Sequence, residues 1–166
     1  MFLWFLGTSA IAVWFVFRDD RFDYRVLFLG VLLPDIIDAA TGGAWVMHSV
    51  TASVVVLATV MAVARRGSER RRRWLALPIG TFMHLVFDGA FNNTRVFWWP
   101  FTGGSFGGAR IPSLDRPGLD VILELAGAAM LVWLWRTNDL SDPTARRRFV
   151  RSGRLVGGTN ARVGEC

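Results

Sequence analysis

The chain has 166 residues, room for one domain, and 52% of them are hydrophobic, with a mean hydropathy of +0.36. That apolar content excludes an ordinary soluble protein of this size. The net charge of +6 rests on 19 basic residues, all of them arginine. They are clustered rather than spread over one face, which argues for membrane-topology signals and against a specific nucleic-acid surface.

Five hydrophobic stretches follow one another, at residues 2–17, 26–40, 44–64, 74–91 and 119–135. A perpendicular span needs about 20 residues. The first and fifth are therefore a little short, and the second, broken by Pro34, is short enough to be partly re-entrant. The first lacks a basic leader, and its charges (Arg18, Asp19, Asp20, Arg21) follow the apolar run. It reads as a retained helix and not as a signal peptide. The expected fold is an all-α integral membrane bundle of about five hydrophobic helices. A transmembrane domain is expected over residues 1–136 and a basic cytoplasmic tail, partly disordered, over 137–166.

Arginine placement orients this bundle. Residues 65–73 carry six arginines and the tail after Trp135 carries seven. The positive-inside rule predicts both to be cytoplasmic, with the N-terminus outside a bacterial inner membrane. Trp4, Trp45, Trp98 and Trp99 then mark the outer interface, and Trp14, Trp74, Trp133 and Trp135 the inner one. In the tail, residues 139–150 are expected to form a surface helix, with Ser141 or Asp142 as its cap and Pro143 in its first turn.

Asp35, Asp38, His48, His84 and Asp88 lie within these apolar stretches, where an ionisable group is costly and usually has a partner. The two histidines are the only ones in the chain. The orientation above brings all five to the outer half of the membrane. Asp35 and Asp38, spaced i, i+3, share a helical face, and Pro34 suits the first turn of a new helical segment. His84 and Asp88, spaced i, i+4, can reach one ion. With His48, which follows the turn Thr41-Gly42-Gly43, they make a ligand set for one or two divalent ions, zinc first, with manganese or magnesium as alternatives. Each element also has a plainer reading: a solvated helix end at Asp35 and Asp38, a packed histidine at 48, a hydrogen-bonded pair at 84 and 88. Glu124, a further acid in the fifth stretch, can orient a histidine, act as a general base or serve as a structural ion-pair partner. The outer loop, residues 97–108, combines aromatics for the headgroup level with glycines for folding over a site. Arg95 and Arg110 are there to meet an anionic group.

The run Leu32-Leu33-Pro34-Asp35-Ile36-Ile37-Asp38, then His48-Ser49, His84-Leu85-Val86-Phe87-Asp88 and Trp99-Pro100-Phe101, resembles the membrane-bound metal-dependent hydrolases of the YdjM type. These are also called LexA-binding inner-membrane-associated hydrolases. The resemblance covers residues 26–101. Of that family's His-Arg-Gly-x-Thr-His-Ser segment, only the second histidine and the serine stand here, as His48 and Ser49. The family is similar in motif logic to zinc-dependent phospholipase C and P1-type nucleases, so the resemblance implies hydrolysis of a phosphoester or lipid-like substrate.

The expected function is thus metal-dependent hydrolysis near the outer face, with an ion-activated water as nucleophile and Asp35, Asp88 or Glu124 taking the proton. The expected partners are membrane lipids, a small or lipid-like substrate, and a cytosolic protein on the basic tail. The alternative is a non-catalytic membrane regulator or scaffold. A metal or proton transporter fits less well, because the inner helix halves offer no continuing polar path.

Overall fold

The computed structural model describes residues 1–41, 44–104 and 117–155. Among these residues the chain is all-helical, with no strand. The helices are α1 (Phe2–Phe17), α2 (Tyr24–Asp38), α3 (Val50–Val63), α4 (Glu69–Trp74), α5 (Ala76–Phe87), α6 (Thr94–Phe97), α7 (Pro117–Thr137) and α8 (Pro143–Ser152). Short 3₁₀ turns stand at Ala39–Thr41, Val46–His48 and Ala90–Asn92. The five apolar stretches correspond to α1, α2, α3, α5 and α7. Among the described residues, only α7, over Gly118–Thr137, is by length and composition able to cross a membrane by itself; α1 and α3 are apolar but shorter.

Three local expectations are corrected. Pro34 opens no new segment: α2 runs through it, giving up only the bond that its missing N–H would make to the Gly30 carbonyl. The arginine run is not all loop. Ser68 accepts from the Arg71 N–H at 3.1 Å, and Glu69 follows in the first turn, so residues 69–74 form α4. His48 precedes α3 instead of lying within it, because Ser49 is the cap, accepting from the Ala52 N–H at 3.1 Å. The tail helix overlaps the expected 139–150 but begins at Pro143 and runs to Ser152, with Asp142 as cap and Pro143 in its first turn. The last eleven residues, 156–166, lie outside the described residues.

Two glycine contacts set the packing. A Cβ on Gly30 or Gly80 would run into the backbone of the facing helix, so α2 and α5 touch main chain to main chain. On α1, a Cβ at Gly7 would lie 2.6 Å from the Gly127 carbonyl oxygen of α7. Small residues at a crossing let helices approach closely.

The pairs run parallel. At the start of α2, Asp23 meets Arg73 of α4, just ahead of α5; midway Leu27 and Val31 face Gly80 of α5, and near the end Asp35 meets His84 of α5. Along α1 and α7, Leu3 meets Glu124, and Trp14 meets Trp133. Phe5 of α1 packs on His84 near the end of α5, so these two helices are antiparallel. Alternate crossing directions in the five-helix scheme require this pattern. The core between the helices includes Phe5, Val13, Leu27, Val31 and Leu134. Many large apolar side chains face outward, including Val16 at 71%, Leu125 at 66% and Ile36 at 65% exposure.

α8 folds back onto the bundle. The Tyr24 N–H donates to the Gly153 carbonyl at 2.9 Å, and the Arg25 guanidinium to the Val150 carbonyl at 2.6 Å. Between them sits Asp23, buried and capping α2 with bonds from the Arg25 and Val26 N–H groups. Its carboxylate also pairs with the guanidinium groups of Arg25 and Arg73, each at 2.8 Å. Burial works against the charge on Asp23. The Arg25 guanidinium and the two backbone N–H groups outweigh it and hold the carboxyl below the usual carboxylate range.

Candidate metal centre

At the other end of α2, Asp35, His48 and His84 converge from three segments. Asp35 Oδ1 lies 3.4 Å from His48 Nε2 and 3.4 Å from His84 Nε2. One ligand atom from each residue fits within 4.8 Å of the other two, so the cluster can hold a metal ion. Both imidazoles are fully buried, while the Asp35 side chain is 37% exposed and faces the open side. The imidazole rings are 5.3 Å apart and nearly perpendicular, so their edges meet instead of stacking.

The pairing of these atoms is what separates this cluster from a structural network. Buried polar atoms almost always have hydrogen-bond partners, and each exception asks for a reason. Asp35 Oδ1, His48 Nε2 and His84 Nε2 are buried, close enough to attract, and yet not aligned to hydrogen-bond with one another. Both oxygens of Asp88 and the Nδ1 of His84 are also buried without a partner. Lone pairs aimed at a common point suit a cation. Two imidazoles and a carboxylate with an open position are a zinc-type donor set.

Local sequence explains how His48 is held. The Asp38 carboxylate accepts the Trp45 N–H at 2.8 Å and the Met47 N–H at 3.4 Å, so the chain after α2 wraps around it. Asp38 Oδ2 then lies 2.7 Å from His48 Nδ1. A carboxylate here accepts, which places an imidazole proton on Nδ1 and turns Nε2 toward the cluster. The sequence proposes Asp38 as a ligand. The structure sets it behind His48, as the group that orients it.

The remaining candidates are placed as follows. Asp88 lies one turn after His84, close enough to feel the charges of Asp35, His48 and His84, but outside the three-atom set. Glu124 is engaged with the start of α1, accepting from the N–H groups of Phe2 and of Leu3, the latter at 2.7 Å. This is a carboxylate at a helix N-terminus, a structural arrangement, and it also pairs with the Met1 amino group at 3.5 Å. Of the outer loop, the Trp99 carbonyl accepts the Thr51 hydroxyl, which ties the loop to the first turn of α3 beside His48. Arg95 is exposed on α6. Arg110 and the glycines at 107 and 108 lie outside the described residues, as do Gly42 and Gly43 of the turn before His48.

Sequence reasoning missed Phe5, whose ring lies 4.3 Å from His84 and closes the inner side of the cluster. No local signal marks it, since it sits in a uniformly apolar helix. It missed the Asp23 network too, although an Asp directly before an apolar run is a cap signature. No family model, curated protein or solved structure matches this chain.

Proposed function

We propose that the protein is a membrane-embedded metal-dependent hydrolase of the kind its motifs resemble. The observation that carries this reading is the convergence of Asp35 Oδ1, His48 Nε2 and His84 Nε2, buried and without hydrogen bonds. The outward apolar side chains and the alternating helix directions support a multi-pass bundle, and the arginine placement supports an inner membrane with the cluster at the outer face.

The ion would be held by Asp35, His48 and His84, with Asp88 able to join. When bound, a zinc-type ion supplies Lewis acidity and lowers the pKa of water from 15.7 to about 7. The chain's own residues do the rest. Asp38 fixes the tautomer and orientation of His48. Phe5 packs on His84 and both imidazoles are fully buried, so entry is from the partly exposed Asp35 side. Asp88, with two free carboxylate oxygens beside the cluster, is placed to take a proton from the attacking water and return it to a leaving alkoxide. A phosphoester or lipid-like substrate is the class that such an opening at the membrane surface would admit.

Metal analysis of protein prepared without chelator tests the reading. Close to one equivalent of zinc or manganese is expected, together with hydrolysis of a phosphodiester reporter that Asp88→Asn abolishes while keeping the metal. A folded sample without metal would overturn the proposal and favour a scaffold. Iron without hydrolysis would remove the hydrolase part. A reporter joined after Gly67 should be cytoplasmic and one inserted at Gly104 external. The reverse would move the cluster to the cytoplasmic face.

A further inference from the structure

The end of the bundle away from the histidines carries a second built feature, a groove of about 520 Å³ between the start of α2, α4 and α8. Six arginines line it, Arg21, Arg25, Arg70, Arg73, Arg151 and Arg154, against only two acids. Asp23 is already saturated by Arg25 and Arg73. Glu69 is mostly exposed and only loosely matched, to Arg72 at 3.7 Å and Arg154 at 3.9 Å. Among the described residues Arg21, Arg70 and Arg151 have no ion-pair partner, so the groove holds a positive charge that the protein does not neutralise. The unpaired guanidinium groups held together in a concavity repel one another, and an anion would relieve that repulsion.

We propose that this groove binds the phosphate of an anionic phospholipid headgroup. Several guanidinium forks around one cavity suit a group that offers oxygens in several directions, which a phosphate does better than a single carboxylate. The space exceeds that of inorganic phosphate and accommodates a glycerophosphate group. Trp74 lines the groove where α4 meets α5 and is 39% exposed, an indole at the level where a headgroup would give way to acyl chains. The phosphate chemistry is independent of the metal centre, while the lipid as its source rests on the membrane reading. α8 completes the site, so its docking through Gly153 and Val150 positions Arg151 and Arg154.

The test is titration of the full-length protein in detergent with a short-chain phosphatidylglycerol, a phosphatidylcholine of the same chain length, and inorganic phosphate, followed by calorimetry or native mass spectrometry. Saturable binding of phosphatidylglycerol over phosphatidylcholine is expected. The Arg70→Gln/Arg151→Gln double variant should weaken it about tenfold or more. Arg146→Gln/Arg147→Gln removes the same charge from the same end but away from the groove, and should leave it unchanged. Inorganic phosphate binding as tightly as the lipid, and lost in the same double variant, would keep the phosphate site and replace the lipid as its source. Equal loss in both double variants, or no loss in the groove variant, would overturn the proposal in favour of diffuse attraction. Circular dichroism and metal content, measured on the same samples, separate a failed fold and a failed metal centre from a failed groove.

Discussion

The two ends of α2 each bury an aspartate cluster, and the clusters differ in how well they are satisfied. Asp23, at the start, accepts two backbone N–H groups and two guanidinium groups. Every strong acceptor there has a donor, and the cluster ties α2, α4 and α8 together. Asp35, near the end, sits 3.4 Å from two imidazole nitrogens without bonding to either. A satisfied network fixes a fold. A convergent set with unmatched lone pairs is incomplete as structure and becomes complete when a cation fills it. Burial and charge alone would not separate the two ends; the pairing of individual atoms does.

The largest expected effect follows from that contrast. His84→Ala removes a ligand atom that stabilises nothing else by hydrogen bonding, so metal content should fall to background with the helical signal intact. The alanine leaves a cavity beside Phe5, so chelated His84→Ala should unfold below chelated wild type, by the few kcal/mol of a large-to-small core change, yet remain folded. If His84→Ala instead unfolded the metal-free protein, the site end would be a structural network like the other end. The next effect is smaller. Asp38→Asn keeps the shape but loses the charge that sets the His48 tautomer, and outer-shell changes of this kind cost about 10–100-fold in metal affinity. Competition with a chelating dye measures it. Unchanged affinity would mean that the Val46–His48 turn orients His48 without Asp38.

How much of this was legible depended on the range of the interaction. The helices, the cap at Asp142 and the candidate ligands were readable because apolar runs, Pro-flanked caps and rare ionisable residues are local signals. The separate part of Asp38 was not, because its spacing from Asp35 is that of a co-ligand, and only the path of residues 45–48 turns it toward His48. Pro34 misled for a related reason. Proline generally ends a helix, but here close packing of Gly30 against α5 supports α2 through the interruption. The docking of α8 on α2 joins residues more than 120 positions apart, and a charge-rich tail gives no local indication of it.

That docking supplies the third test. Gly153 has φ 71°, and a Cβ there would overlap Asp23 Oδ1. Gly153→Ala must strain the backbone and displace either α8 or the carboxylate, at a cost of about 2 kcal/mol. Thermal unfolding in detergent should show the loss, and limited proteolysis should cut after α8 sooner. The metal centre, at the far end of α2, should be unaffected. Coupled loss of metal would show that the two ends are not independent.

The smallest effect is a pH dependence confined to the satisfied end. The Asp23 carboxyl is held below its ordinary value in the folded chain, whereas an unfolded aspartate titrates near 3.9. Between those two values the unfolded chain binds a proton that the folded chain does not, so stability rises with pH there. The contribution is fully present above about pH 4 and falls as pH drops through the lowered folded value. Metal-free protein should therefore lose unfolding temperature on acidification below about pH 4, and Asp23→Asn should flatten part of that slope. Chelation is essential, since metal binding is itself pH-dependent and would add its own slope. Identical slopes in the two proteins would show that the Arg25 and Arg73 pairs hold α2 by geometry and packing, with the charge on Asp23 contributing little.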